Sequence, residues 1–403
     1  MIAIKRTRLK VLGYILAFIF ANLLLTSFNV HSLLRMTYVN HIVHCPSLPC
    51  NTNAAEHPMK LDLFPDGVDV YTNYTLKRLR FKSSTNNGKP IVNDVTSFRY
   101  SINAQCQKTN DGLMVVVIVV SAPNHFEKRQ LVRQSWASRL NGGRHVFLTG
   151  KTANMTWQKK IEQESQSFGD IVQLDMMDSY DILTVKSVAL LHWAKHFCDR
   201  VPFILKCDDD VYINTIRLQS AMLAIQREVP YYEGAMFGTK IIIDNPPQRK
   251  LGNKHYVSLD VWPWPTYPSY LYGGSYLLGR KSLGLLLEAA QTTPYFPFED
   301  LYLIGLCSRK AHVPLWTCEK MFVMENSNKT GEPCFVGQSI TWQTRSDNQF
   351  LESHQATEEL YNNQTECNRF STHSNDVHFQ LIDPLEYETW SRNISSVRNN
   401  IIL

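Results

Sequence analysis

Residues 113–120 read Leu-Met-Val-Val-Val-Ile-Val-Val, an apolar run of strand length with no polar position to turn toward water. Such a run, rich in β-branched side chains, suits a central strand of a parallel sheet covered on both faces. Beyond it the pattern alternates. Residues 126–140 have helical spacing, with Leu131, Val132 and Trp136 set among charged residues, and 145–148 read as a short strand closed by Thr149 and Gly150. Residues 157–168 are again helical, 171–174 strand-like, 184–197 an amphipathic helix, and 202–205 another short apolar strand. Strands alternating with helices predict a layered α/β sheet with right-handed crossovers, whose ligands collect beyond the carboxyl ends of the strands.

The chain has 403 residues, 44% of them hydrophobic, enough to bury a large core in one big domain or two ordinary ones. Its formal net charge is +5, and the basic residues are scattered rather than striped, which argues against a nucleic-acid partner. Lys5, Arg6, Arg8 and Lys10 precede an apolar stretch at 11–30. That length spans a bilayer, and the basic flank holds the N-terminal end in the cytosol, so 1–10 is expected as a cytosolic tail and 11–30 as a signal anchor. A cleaved signal peptide would need a small-residue cleavage site, and Asn29, His31 and Arg35 are poor neighbours for one. Pro46, Pro49, Pro58, Pro65 and Pro90 break up a polar region, which makes 31–110 an expected stem.

The Asn-x-Ser/Thr sites at Asn73, Asn154, Asn328, Asn363 and Asn393 fit a secretory lumen. So do nine cysteines, none in a Cys-x-x-Cys pair; the odd count leaves at least one thiol free or bonded to another chain, as in a disulfide-linked dimer. The expected setting is the Golgi membrane, with a single-pass type II orientation and the bulk of the chain lumenal.

Directly after the strand at 203–205 come Lys206, Cys207, Asp208, Asp209 and Asp210. Three adjacent carboxylates repel one another unless a cation is present, and hard oxygen ligands favour Mn2+ or Mg2+ shared with substrate phosphates. In an extended segment Asp208 and Asp210 face the same side. The competing reading is a solvated acidic turn. Glu299 and Asp300 open an apolar segment, where they either cap a helix or supply a general base to an acceptor hydroxyl. Between these sites, the aromatic run 267–276 contains Tyr270 and ends near the paired Gly273 and Gly274. Aromatic faces stack on sugars and glycines permit close backbone approach, although packing at a strand start accounts for the same residues.

With these residues in order, the chain resembles the beta-1,3-galactosyltransferase family, inverting enzymes that include beta-1,3-N-acetylglucosaminyltransferases and, more distantly, Fringe. The likeness covers 113–345 and rests on several motifs. Arg129, Arg133 and Trp136 look like an Arg-x-x-x-Arg-x-x-Trp signature, and Asp178, Tyr180, Leu183, Thr184 and Lys186 like an Asp-x-Tyr-x-x-Leu-Thr-x-Lys block; the Asp triplet, the Gly-Gly run and Glu299-Asp300-x-Tyr302 come after them in family order.

The resemblance implies a GT-A type, Rossmann-like mixed sheet flanked by helices at 111–345, followed by a lumenal extension at 346–403. It implies a hexosyltransferase using a UDP-sugar donor, galactose foremost with N-acetylglucosamine or N-acetylgalactosamine as alternatives, and a glycan acceptor on protein or lipid. It makes Asp210 the metal ligand, with Asp208 and Asp209 beside ribose and phosphates, and Asp300 the catalytic base. It places Arg129, Arg133, Asp178, Tyr180 and Lys186 around the donor, though a cationic side chain there serves equally as a structural ion pair. Glu299, Tyr270, Gly273 and Gly274 fall on the acceptor side. The chain departs from the pattern in two places: Gln343 stands where relatives carry a metal-side histidine, with Arg345 retained, and Leu271 and Tyr272 occupy a stretch where a cysteine is usual. His354 or a water is a candidate replacement ligand. A metal-dependent hydrolase or phosphotransferase and a non-catalytic glycan-binding protein are the other classes such a chain could represent.

Overall fold

The computed structural model describes residues 70–80, 84–86, 89–106, 112–241, 246–318, 322–323, 329, 331–362 and 379–382. The expected anchor at 11–30, the cytosolic tail and the acceptor asparagines Asn328, Asn363 and Asn393 lie outside the described residues. Among the described residues no helix is long and apolar enough to cross a membrane.

Helix α1 (Val70–Leu79) and the hairpin β1 (Ser84–Asn86) and β2 (Lys89–Ile91) come first. Next are β3 (Tyr100–Asn103), β4 (Val115–Val120), α2 (Phe126–Gln134), β5 (Gly143–Lys151), α3 (Met155–Phe168), β6 (Ile171–Met177), α4 (Leu183–Phe197) and β7 (Phe203–Asp208). The second half runs β8 (Val211–Ile213), α5 (Thr215–Glu228), β9 (Met236–Gly238), β10 (Lys240–Ile241), β11 (Tyr270–Leu271), β12 (Ser275–Gly279) and α6 (Ser282–Thr292). It ends with β13 (Leu315–Thr317), β14 (Phe322–Val323), β15 (Thr341–Gln343), α7 (Asp347–Tyr361) and β16 (Gln380–Leu381).

One mixed sheet organises these elements, in the order β16-β13-β9-β12-β7-β4-β5-β6-β3. Its centre, β7-β4-β5-β6, is parallel, while β3 and β12 add antiparallel to either side of it. The run at 113–120 supplies β4, as its composition predicts. Val116, Ile118 and Val120 enter one hydrophobic core, and Val115, Val117 and Val119 enter a second core on the opposite face. A strand buried on both faces can carry no alternating polar residue, which is why the sequence shows none. A smaller sheet, β14-β15-β8, begins where β7 ends, so the Asp triplet sits at the junction of the two sheets.

Local chemistry sets several boundaries. Asn154 caps α3 by accepting from the N–H groups of Thr156 and Trp157, and Gly169 ends it in the left-handed region at φ 64°. The helix expected over 126–140 stops at Gln134 and is followed by a 3-10 turn at Trp136–Arg139; at the break the Ser135 hydroxyl donates back to the Leu131 carbonyl. The apolar segment after Asp300 is a π-helix, Leu301–Cys307. Tyr100–Asn103, within the polar region 31–110, pairs with β6, and Cys106 just beyond it is disulfide-bonded to Cys198 at the end of α4. After 346, α7 is capped by Ser346 and buries Phe350 and Ala356 in the second core, and β16 pairs with β13.

Candidate active site

Strand β7 is buried from Phe203 to Cys207 and delivers Asp208 at its carboxyl end. Two residues before Asp208, Lys206 is 1% exposed and must find partners inside. Its ammonium donates to Asp208 Oδ1 at 2.8 Å, to the Gly273 carbonyl at 2.5 Å and to Glu299 Oε1 at 3.0 Å. Burial alone would lower its pKa, but the charges of Asp208 and Glu299 outweigh that and hold it well above its usual value. One cation thus joins the end of β7, the turn before β12 and the loop before the π-helix. Glu299 is 4% exposed, and its other oxygen accepts from the Tyr276 hydroxyl at 3.2 Å, so its carboxylate is engaged inward.

Asp300 caps the π-helix, its Oδ1 accepting from the Leu301 N–H at 2.8 Å. A Cβ on Gly273 would stand 2.9 Å from both the Cβ and Oδ2 of Asp300, so only glycine lets this turn lie against the carboxylate. Burial, and then the charge of Glu299, push the Asp300 carboxyl up to about 7. Asp208 is raised to about 6, desolvation outweighing Lys206. Asp208, Asp300, Glu299, Tyr180, Tyr270, Gly273 and Gly274 line one hollow of about 470 Å³. The structure therefore brings together the end of the triplet, the carboxylate pair and the Gly-Gly turn. Lys206, Tyr272, Asn253 and His255 line it too. Tyr180 is 59% exposed at its rim, and partial burial, followed by the charges of Asp300, Asp208 and Glu299, raises its phenol pKa.

The rest of the triplet diverges. Asp209 turns to His125 Nδ1 at 2.7 Å and Lys128 at 3.5 Å; burial opposes its charge, but the His125 hydrogen bond prevails and its pKa is lowered. Asp210 is held by its backbone carbonyl, which accepts from the Thr344 N–H at 2.8 Å, and by its Oδ2, which accepts from Gln343 Nε2 at 3.1 Å. Asp210 Oδ1 is buried with no hydrogen-bond partner. Gln343 Oε1 in turn accepts from the Tyr272 hydroxyl at 2.5 Å. His354 lies against the Tyr212 hydroxyl at 3.0 Å.

The cationic motif residues are each held by a carboxylate. Arg129 is fully buried and donates to Glu164, to Ser121 Oγ and to the Ala122 carbonyl, bracing the loop that leaves β4. Arg133 pairs with Asp170 and Glu164 and lies over Phe168. Lys186 donates to Asp178 Oδ2 at 2.7 Å and the Ser121 carbonyl at 2.9 Å, and Asp178 also accepts from the Gly150 N–H. Arg129, Arg133, Asp178 and Lys186 do not line the hollow that holds Asp300, and each is engaged in an ion pair.

Residues 127–319 match the family described as Galactosyltransferase. The chain carries a galactosyltransferase-family domain. The domain begins in α2 and ends just beyond β13, taking in the triplet, the Gly-Gly turn and Asp300. An acetylgalactosaminyl-O-glycosyl-glycoprotein beta-1,3-N-acetylglucosaminyltransferase of Mus musculus is 33% identical over 210 residues, 50% of this chain and 52% of that one. Beta-1,3-galactosyltransferase 1 of Mus musculus is 29% identical over 252 residues, 60% of this chain and 74% of that one. The chain thus spans about half the length of the first of these relatives. Among solved structures, the apo form of the bifunctional glycosyltransferase WbbM aligns with a TM-score of 0.35 at 11% identity, over 64% of this chain and 52% of that one, too distant to bear on function.

Sequence reasoning missed Lys206, His125 and the Tyr272–Gln343 contact. A lysine inside a buried strand next to three aspartates was the available signal for the first. The others depend on long-range pairing that no local pattern records.

Proposed function

We propose that this chain is a beta-1,3-hexosyltransferase with a GT-A type catalytic domain, moving a sugar from a UDP-sugar to a glycan hydroxyl with inversion. The observation that carries the reading is the shared hollow. Asp300, a carboxyl poised near neutrality, shares it with Asp208 and lies against a turn where Gly273 leaves no room for a Cβ. Asp300, as carboxylate, accepts the proton of the acceptor hydroxyl; the new bond forms at the anomeric carbon as the bond to the diphosphate breaks, converting an α-linked donor into a β-linked product. A base of this kind contributes roughly 10²- to 10⁴-fold.

A divalent cation, Mn2+ or Mg2+, supplies Lewis acidity at the departing diphosphate when bound. Asp210 and Asp208 are the residues that would hold it, and the unpartnered, buried Oδ1 of Asp210 fits that role. Among the described residues no group of three or more His, Cys, Asp or Glu is arranged to hold an ion unaided. The nucleotide's phosphates are the natural source of the remaining oxygen ligands.

Galactose is the first choice of sugar. N-acetylglucosamine is the second, favoured by the 33%-identical relative. A type II Golgi placement rests on the basic and apolar N-terminus, with the Cys106–Cys198 disulfide supporting an oxidising lumen. Of the acceptor asparagines within the described residues, Asn154 is exposed at the start of α3 and Asn73 is half-buried in α1. The test is incubation of the purified protein with labelled UDP-sugars, Mn2+ and a panel of glycan acceptors. Acceptor-dependent label transfer supports the proposal, whereas phosphate release without a glycan product, or binding without turnover, rejects it.

A further inference from the structure

We infer that Tyr272 and Gln343 make divalent-cation binding by this chain conditional on nucleotide. The inference rests on the UDP-sugar reading above and goes beyond it to the residues that control when the ion is held. Gln343 ends β15 directly opposite Val211, which places its amide beside Asp210. The Asp210 carboxylate, when ionised, only accepts hydrogen bonds, so the amide must present its NH₂ there, at 3.1 Å, and its carbonyl the other way. The carbonyl is met by the Tyr272 hydroxyl at 2.5 Å, donated from the turn before Gly273. Three side-chain oxygens of Asp210 and Gln343 gather at this point. One is bound by an amide and one by a phenol; Asp210 Oδ1 alone is buried with no partner.

The neighbouring carboxylate makes up only part of the shortfall, since Asp208 Oδ1 is held by the ammonium of Lys206 and its second oxygen alone is left for an ion. Mg2+ and its like demand near-octahedral oxygen coordination. Two free oxygens, one from each carboxylate, are poor competitors for a six-fold water shell, and a diphosphate arriving with the ion supplies what the protein withholds. Tyr272 and Gln343 are in hydrogen-bond contact with each other, so they act as one unit. Tyr272 fixes the amide, and the amide turns the one replacement oxygen away from the ion.

The experiment is a titration of Mn2+ into the purified protein, with and without saturating UDP, reading the free ion by electron paramagnetic resonance. Uptake by UDP alone is subtracted from a protein-free control. Wild type should take up Mn2+ with UDP and show at least ~10-fold weaker uptake without it, the scale on which outer-shell partners tune metal affinity. Tyr272→Phe frees the amide to offer its carbonyl, and Gln343→His replaces it with an imidazole; each should tighten nucleotide-free uptake by roughly 10-fold or more. Far-ultraviolet circular dichroism establishes that both variants are folded. Equal wild-type uptake with and without UDP, or unchanged nucleotide-free uptake in both folded variants, overturns the inference while leaving the transferase reading standing. Absence of uptake even with UDP rejects the cation assignment itself, and this inference with it.

Discussion

Asp300 and Lys206 divide the work of the hollow between reactivity and geometry. The Asp300 carboxyl sits near 7 against an ordinary 3.8, so the folded protein prefers its protonated form. That sign has two consequences. The base is competent only when ionised, so transfer should fall about tenfold per unit as pH drops below about 7, which a pH profile of kcat/KM checks. Stability moves the other way. It is reduced as pH rises from about 4 to 7, and Asp300→Asn, which cannot ionise, should melt no lower than wild type at pH 8. Lys206 is the opposite case, a buried charge whose loss strands its partners. Lys206→Met should cost about 3–5 kcal/mol in a denaturant titration, and Lys206→Met with Glu299→Gln should recover part of it. Residue identities of the triplet and of Asp300 were legible in the sequence because acidic residues beside apolar runs are conspicuous. The inward role of Glu299 was not, because it depends on a lysine 93 positions away.

At the scale of elements, β4 and β7 were readable from composition alone, since a strand covered on both faces must be apolar throughout. The turn before β12 was readable only as a place where glycines permit close approach; what approaches is Asp300, which the spacing could not name. Gly273→Ala should push a methyl against Asp300 at 2.9 Å and shift it. A displacement on the order of 1 Å can cost roughly 100-fold in turnover. Transfer should fall by about that factor while UDP binding persists, and a wild-type rate in this variant would show that the contact is tolerated. The π-helix after Asp300 escaped prediction for a physical reason. Its apolar residues are buried all round, so no stripe marks its period. The start of α3 was set by a single side chain, Asn154, whose bonds to the backbone are as local as the periodic pattern but independent of it.

In the whole molecule, two cores flank one sheet, and the segments outside the α/β motif region still contribute to them. Tyr100–Asn103 extends the sheet, and α7 closes the second core. Neither has a strong sequence signal, because an edge strand and a helix docked by a few side chains need only a few apolar residues each. The Cys106–Cys198 disulfide ties the edge segment to the end of α4 across 92 residues. Replacing both cysteines with serine should lower stability by about 2–4 kcal/mol, visible as a fall in denaturation midpoint, without abolishing transfer.

The central claim, that Asp300 activates the acceptor in a hollow shared with the triplet, is most directly tested by measuring acceptor-dependent sugar transfer in Asp300→Asn alongside UDP binding. The account predicts UDP affinity close to wild type with transfer reduced by roughly 100-fold or more; wild-type turnover in a variant that cannot accept the proton would contradict it.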